Sequence, residues 1–247
     1  MLRTFIKNAF KAAGYSVSRY DATRDADAVR HQLLNRIQAD MVLDVGANAG
    51  QYGRRLRRLG YQGRIVSFEP LSVAYSRLHE AAGADTRWCA ENTALGDHDG
   101  TATINIAGNS WSSSLLDMLP LHLQAAPESA YVGTETIRVA RLDSVFDHHV
   151  SQDDKVFLKI DTQGFTSKVL AGGEQSLGRI AGLEVELSTY PLYRDEPLIH
   201  EVLASLSSRG FNVFYLEPEV VDQATGKQLQ LNGLFLKEGE PYSQGAR

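Results

Sequence analysis

Hydrophobic positions along the chain fall into two alternating patterns. Short apolar runs occur at Met41–Val45, Arg64–Phe68, Thr86–Cys89, Val156–Ile160 and Leu183–Leu187, and each is followed by a turn signal. Runs of this length, rich in Val, Ile and Leu and closed by Gly, Pro or Asp, predict buried strands. Between them lie stretches with helical spacing: Gln51–Leu59, Ser72–Ala82 with Ser72 as its N-cap, Leu142–Phe146, Thr166–Leu170, and Leu198–Arg209 closed by Gly210. Ala102–Ile106 and Thr136–Ala140 alternate like half-buried strands. Asn212–Leu216 and Leu234–Lys237 follow one another with no helix between them, so one of this last pair can run antiparallel. Strands alternating with helices predict an α/β fold, a mostly parallel sheet of seven strands with helices on both faces.

Residues 40–240 read as one domain, and residues 1–39 as an N-terminal helical extension. The one long interruption, 109–135, begins with the polar segment Asn109–Ser114 and is expected to be a lid or acceptor loop, the usual use of long loops in compact domains. Residues 1–20 carry Arg3, Lys7, Lys11 and Arg19 and no acid, with Leu2, Phe5, Ile6, Ala9 and Ala13 at helical spacing and Phe10 beside them. The plainer expectation is an amphipathic helix capping the domain. Its rival is a basic helix resting on anionic lipid, which would make the protein peripheral to the inner face of a membrane.

Composition narrows the function. The 247 residues carry a net charge of −5, which argues against nucleic acid as the main partner. A single cysteine, Cys89, can build neither an internal disulfide nor a cysteine-rich zinc site, which suits a cytoplasmic protein. No stretch approaches the ~20 apolar residues of a membrane span, and the N-terminus lacks the apolar core of a signal peptide.

The chemistry gathers at strand ends. The first strand closes in Asp44-Val-Gly46-Ala-Asn48-Ala-Gly50, and the second in Phe68-Glu69-Pro70. Glycines there allow a tight turn and close approach of the backbone to a ligand, and an acid at Glu69 stands where ribose hydroxyls are met. A dinucleotide asks for Gly-x-Gly-x-x-Gly, whereas this loop is Gly-x-x-x-Gly with Asp44 just before it. A carboxylate beside the loop repels pyrophosphate and suits the ammonium and sulfonium of S-adenosyl-L-methionine. That favours a methyltransferase over an NAD-linked oxidoreductase.

Taken in order, these segments, with Ala94-Leu-Gly-Asp97, Arg141-Leu-Asp143, Leu158-Lys-Ile-Asp161-Thr-Gln163-Gly164, Glu184-Val-Glu186 and Pro191-Leu-Tyr193, resemble the FkbM family of methyltransferases over roughly residues 40–237. The resemblance implies a class I, Rossmann-like methyltransferase fold and O-methylation of a sugar, glycolipid or related natural product, in the setting of glycan or glycolipid biosynthesis. By it and by strand order, Asp44, Gly46, Asn48 and Gly50 cradle the methionine part of the cofactor, Glu69 holds the ribose, and Asn92, Ala94 and Leu95 lie by the adenine. Asp161 and Glu186 are the candidate catalytic acids, ahead of any histidine. With Asp143 they form an oxygen set that a divalent metal could use, although the spacing does not indicate one. Ser110, Trp111, Ser113, Gln163 and Tyr193 are expected to line the acceptor site, the indole by stacking on a sugar ring. Thr166 stands where the family often has an acid, which keeps open a non-catalytic protein that only binds the cofactor. Arg54, Arg55, Arg57 and Arg58 are expected to form a solvated helix face.

Overall fold

The computed structural model describes residues 2–15, 17 and 20–240; the side chains of Leu2, Arg3 and Phe5, and Arg19 altogether, lie outside the described residues. Two helices, α1 (Leu2–Ala12) and α2 (Ala26–Arg36), precede the first strand. Asp25 caps α2 by accepting the amide of Ala28 at 2.9 Å. Then follow β1 (Met41–Val45), α3 (Gln51–Arg58), β2 (Arg64–Phe68), α4 (Ser72–Ala82), β3 (Trp88–Glu91), β4 (Ala94–Gly96) and β5 (Gly100–Ala107). The second half comprises α5 (Pro120–Ala125), β6 (Tyr131–Arg141), α6 (Leu142–His149), β7 (Val156–Ile160), α7 (Thr166–Ala171), β8 (Ile180–Ser188), α8 (Ile199–Ser208), β9 (Phe211–Val221) and β10 (Gln228–Lys237).

Seven strands form the main sheet in the order β3-β2-β1-β7-β8-β10-β9. The β1, β2, β3, β7 and β8 pairings are parallel, and β10 is antiparallel to both its neighbours. This is the class I methyltransferase form of the Rossmann-like α/β fold. The period of two decides which face each residue serves. Met41, Leu43 and Val45 of β1 and Val156, Leu158 and Ile160 of β7 bury against Leu142, Phe146, Val169, Val202 and Leu206 of α6, α7 and α8. Val42 and Phe157 bury on the other face, with Leu33 of α2, Ile37 just after it, Leu56 of α3 and Leu78 of α4.

The sequence patterns place most elements within two or three residues, and three differences have physical causes. Ala102–Ile106 and Thr136–Ala140 belong to β5 and β6, which pair antiparallel in a separate three-stranded sheet, β4-β6-β5, rather than adding to the main one. Ser72 is the first residue of α4, not its cap. Glu135 of β6 takes the capping role, accepting the Ser72 amide at 3.0 Å and its hydroxyl at 3.2 Å. The 109–135 segment is not all loop, because it contains α5 and the start of β6.

The extension is of two kinds. α2 is part of the domain core through Val29, Leu33 and Leu34. In α1, each residue whose burial is described, Thr4 and those from Ile6 to Ala12, is exposed. No helix among the described residues is long and apolar enough to cross a membrane.

Candidate functional site

A cavity of about 410 Å³ opens at the carboxyl ends of β1, β2 and β7. β1 lies between β2 and β7, where the direction of strand succession reverses, the position at which doubly wound sheets bind ligands. Its floor is the turn after β1. Gly46 has φ +77°, and its amide and that of Ala47 donate to the carbonyl of Phe68, each at 3.0 Å. A Cβ at Gly46 would run into the carbonyl oxygen of Asp161, so only glycine lets the two loops meet. Gly50, at φ +82°, turns the chain into α3.

Below the floor runs a row of charged and polar side chains set by strand register. Ser67, Asp44, Lys159 and Glu184 are successive cross-strand partners on β2, β1, β7 and β8. All share the sheet face that α2 and α3 cover. The Ser67 hydroxyl donates to Asp44 at 2.9 Å and accepts from the Trp88 indole at 3.0 Å. Lys159 Nζ lies 3.2 Å from Asp44, 3.4 Å from Asp161, and donates to the Gly46 carbonyl at 3.1 Å. Burial works against its charge, but Asp161 and Asp44 outweigh burial and hold its pKa above the ordinary lysine value. Arg30 of α2 has no exposed surface and grips Glu184 with two bonds of 2.8 and 2.5 Å, while the Tyr52 hydroxyl donates to the same carboxylate at 2.6 Å. Burial would raise the Glu184 pKa; Arg30 and Tyr52 reverse it, leaving the carboxylate ionised.

This row corrects one expectation. Asp44 is wholly buried and does not line the cavity; it faces Lys159, and its influence reaches the site through that ammonium. Gly46, Asn48, Glu69, Ala94 and Leu95 do line it. Glu69 accepts the amides of Asn48 and Leu71 at 2.8 and 2.9 Å. Burial lifts its pKa to about 7 in spite of those two bonds. Asn92 is off the wall: its amide donates to the carbonyls of Glu69 and Pro70, each at 3.0 Å, and so holds the β2 turn from behind. Leu71, Ala94, Leu95 and Ile104 provide an apolar flank. Close backbone approach at Gly46, a carboxylate at Glu69 and this flank fit S-adenosyl-L-methionine.

On the opposite wall stands Asp161, at the end of β7. Gln163 is the hub here. Its side-chain amide donates to Asp161 and to Glu186, each at 2.9 Å, and its carbonyl oxygen lies 2.9 Å from the Tyr193 hydroxyl. Its backbone oxygen accepts from the Ser114 hydroxyl at 2.6 Å. Glu186 lies behind this wall; burial first, then Asp161, Glu219 and Glu196, push its pKa well above its ordinary value. Tyr193 is fully buried, which removes it from contact with an acceptor and makes it a strut between Gln163 and the Ser112 carbonyl, 3.0 Å away.

The loop after β5 closes the mouth. Ser110, Trp111 and Ser113 line the cavity as expected, and the Trp111 side chain is 68% exposed rather than tucked into the core. The Asn48 amide reaches the Ser110 hydroxyl at 3.3 Å. Asn48, Gln163 and Ser110, with φ of 45°, 50° and 61°, all hold the left-handed conformation around this one cavity. Such strain persists where surrounding contacts over-determine it, and it clusters at functional sites.

Other expected residues lie elsewhere. Asp143 accepts the amides of Gln175 and Ser176 and the Ser176 hydroxyl, so it does not join Asp161 and Glu186 as an oxygen set for a metal. Thr166 is buried at the start of α7 and off the wall. No histidine lines the cavity. The arginine run is only partly a solvated face: Arg55 pairs with Asp27 and Arg57 with Asp85, whereas Arg54 and Arg58 are exposed. Sequence reasoning missed Arg30, Tyr52 and Ser67 and gave Lys159 and Glu184 no role. The available signal was polar residues at inward positions of otherwise apolar strands, which demand partners when buried.

Residues 44–213 match the model of the methyltransferase FkbM domain. The chain is 24% identical over 188 residues to the 2-O-methyltransferase NoeI of Sinorhizobium fredii, covering 73% of this chain and 77% of that protein. Among solved structures, an rRNA methylase from Streptococcus thermophilus superposes with a TM-score of 0.46 at 12% identity, covering 85% of this chain and 95% of that one. Fibrillarin of Aeropyrum pernix with S-adenosyl-L-methionine bound gives 0.45 at 12% identity, covering 87% and 76%. With the matched domain spanning more than half of its length, the chain belongs to the FkbM family of S-adenosylmethionine-dependent methyltransferases.

Proposed function

We propose that this methyltransferase transfers its methyl group to a hydroxyl of a sugar, glycolipid or related natural product. The observation that carries the reading is the Asp161 carboxylate: it stands on the cavity wall, fixed by Lys159 at 3.4 Å and Gln163 at 2.9 Å, below a mouth that presents an exposed indole. The relative NoeI is by its name an O-methyltransferase, which supports oxygen as the acceptor atom.

When bound, S-adenosyl-L-methionine supplies an electrophilic methyl on a sulfonium. Everything else falls to the chain. Glu69 accepts the ribose hydroxyls, and the flank of Leu71, Ala94, Leu95 and Ile104 takes the adenine. Asp161 accepts the acceptor's hydroxyl proton, because a neutral hydroxyl is a weak nucleophile. Gln163 keeps the Asp161 carboxylate aimed, with Glu186 and Tyr193 as its own supports. Ser110 and Ser113 offer hydrogen bonds to sugar hydroxyls and Trp111 a stacking surface. The reaction then depends mainly on alignment. We place it in the cytoplasm, in keeping with the single, unpaired Cys89.

The test is transfer of labelled methyl from the cofactor to a pool of glycans and glycolipids, with Asp161→Asn alongside. Loss of a general base is expected to slow transfer by about 10²–10⁴-fold while cofactor affinity, read by calorimetry, stays within a few-fold. An Asp161→Asn protein that transfers at the wild-type rate, or label found only on nitrogen, would defeat the reading.

A further inference from the structure

α1 is built for a surface that the domain does not provide. At 100° per residue, Ile6, Ala9, Phe10 and Ala12 fall on one side of the helix, and Thr4, Lys7, Asn8 and Lys11 on the other. Helices with such a division bury their apolar side. Here the described apolar side chains remain in solvent, with Ile6 40% and Phe10 46% exposed. The charge is equally one-sided. α1 has three cations and no anion, in a chain whose net charge is −5.

The second helix of the extension, α2, stands at the rim of the cavity. There Asp27 pairs with Arg55, a cavity-lining residue, and Arg30 reaches Glu217 at 3.1 Å.

We infer that α1 lies in the interface of an anionic lipid bilayer, with Ile6 and Phe10 among the acyl-chain boundary and Lys7 and Lys11 at the lipid phosphates, and so attaches the domain to the membrane surface. An apolar side with aromatic and branched residues needs an apolar phase, which excludes a purely ionic partner, and the cations select an anionic one. The inference concerns attachment and stands whether or not the acceptor is a glycan.

The full chain is sedimented with vesicles of phosphatidylcholine alone or of phosphatidylcholine mixed with phosphatidylglycerol. Wild type is expected to bind the anionic vesicles and not the neutral ones, and to release as salt is raised. Lys7→Glu with Lys11→Glu should weaken binding by about tenfold or more, since each cation near the surface contributes several-fold. Ile6→Ser with Phe10→Ser should also lose it. Both pairs lie outside the domain core, so cofactor affinity should match wild type and certifies folding. Equal binding by wild type and both variants, or no binding by wild type, overturns the inference. So does a wild-type dimer that Ile6→Ser with Phe10→Ser splits while vesicle binding is absent, because a second copy would then cover the helix. Failure of methyl transfer alone would leave vesicle binding intact, which separates this result from the test of the acceptor.

Discussion

The two walls of the cavity are made differently. Behind the cofactor side, Ser67, Asp44, Lys159 and Glu184 form a row fixed by the register of four parallel strands and closed by Arg30, buried throughout. The side proposed to take the acceptor is hung on loops: Ser110, Trp111 and Gln163 sit between strands, two of them at positive φ, and the indole faces solvent. A sheet row cannot shift one member without disturbing its neighbours, whereas a loop tied at Asn48 and Ser114 can change its tip. The cofactor half is thus a rigid part and the acceptor half an adjustable one, so substitutions should divide between stability and cofactor affinity on one side and acceptor use on the other.

The largest effect is expected at the rigid end. Arg30→Ala leaves Glu184 buried with only Tyr52 and Lys159 for company. Removing one partner of a buried ion pair costs about 3–5 kcal/mol. For a chain of this size that lowers the unfolding temperature by roughly 10 °C. Calorimetric unfolding measures it, and a shift of a degree or less would show that the row does not hold α2 to the sheet.

Next comes the floor. Gly46→Ala demands a left-handed alanine, about 1–2 kcal/mol by itself, and adds the collision with the Asp161 carbonyl. The two loops must separate, and cofactor affinity should fall by about tenfold or more. Titration of the folded variant decides; unchanged affinity would mean that the cofactor is not held at this turn.

How legible each half was follows from the same contrast. Apolar runs and glycine turns marked β1, β2, β7 and their loops, because a buried parallel strand has a strong pattern. Gly46, Asn48, Glu69 and Asp161 could be named for that reason, and Ala94 and Leu95 by the family resemblance and their place after the third strand. The row beneath could not. Arg30 and Glu184 are 154 residues apart, and nothing local in either segment announces a partner. Asp44 and Tyr193 were assigned to ligands although both face the interior, since a motif gives residue types and not directions. The second sheet escaped notice because β5 and β6 alternate like any half-buried strand, and pattern alone does not say which sheet a strand joins.

A pH titration sharpens the cofactor side. Burial raises Glu69 from 4.5 to about 7, so the folded chain binds the proton more strongly than the unfolded one. Glu69 therefore lowers stability as pH climbs from about 4.5 to 7, the reverse of a salt-bridged acid. Ribose hydroxyls are donors to the ionised form. Cofactor affinity should accordingly weaken by up to about tenfold per unit as pH falls below 7, and Glu69→Gln should be weaker at pH 8 but flat. Titrations at pH 6, 7 and 8 test this; a wild-type profile as flat as that of the variant would take the ribose away from Glu69.

The smallest expected effect is the one that tests the division itself. Trp111 has 68% of its surface exposed at the mouth, so Trp111→Ala removes little packing and should leave the unfolding temperature within about 1–2 °C of wild type. Cofactor affinity should also hold, because the indole is on the acceptor loop. Stacking of a ring on an aromatic face contributes about 0.5–1.5 kcal/mol, which predicts an acceptor KM raised roughly two- to tenfold with kcat little changed, the pattern of lost uniform binding. Trp111→Phe should restore part of it, whereas a residue that merely braced the loop would respond to size and not to aromaticity. Were Trp111→Ala instead to lower kcat and cofactor affinity together, the loop would be reaching into the cofactor half through Ser110 and Asn48, and the two walls would have to be treated as one.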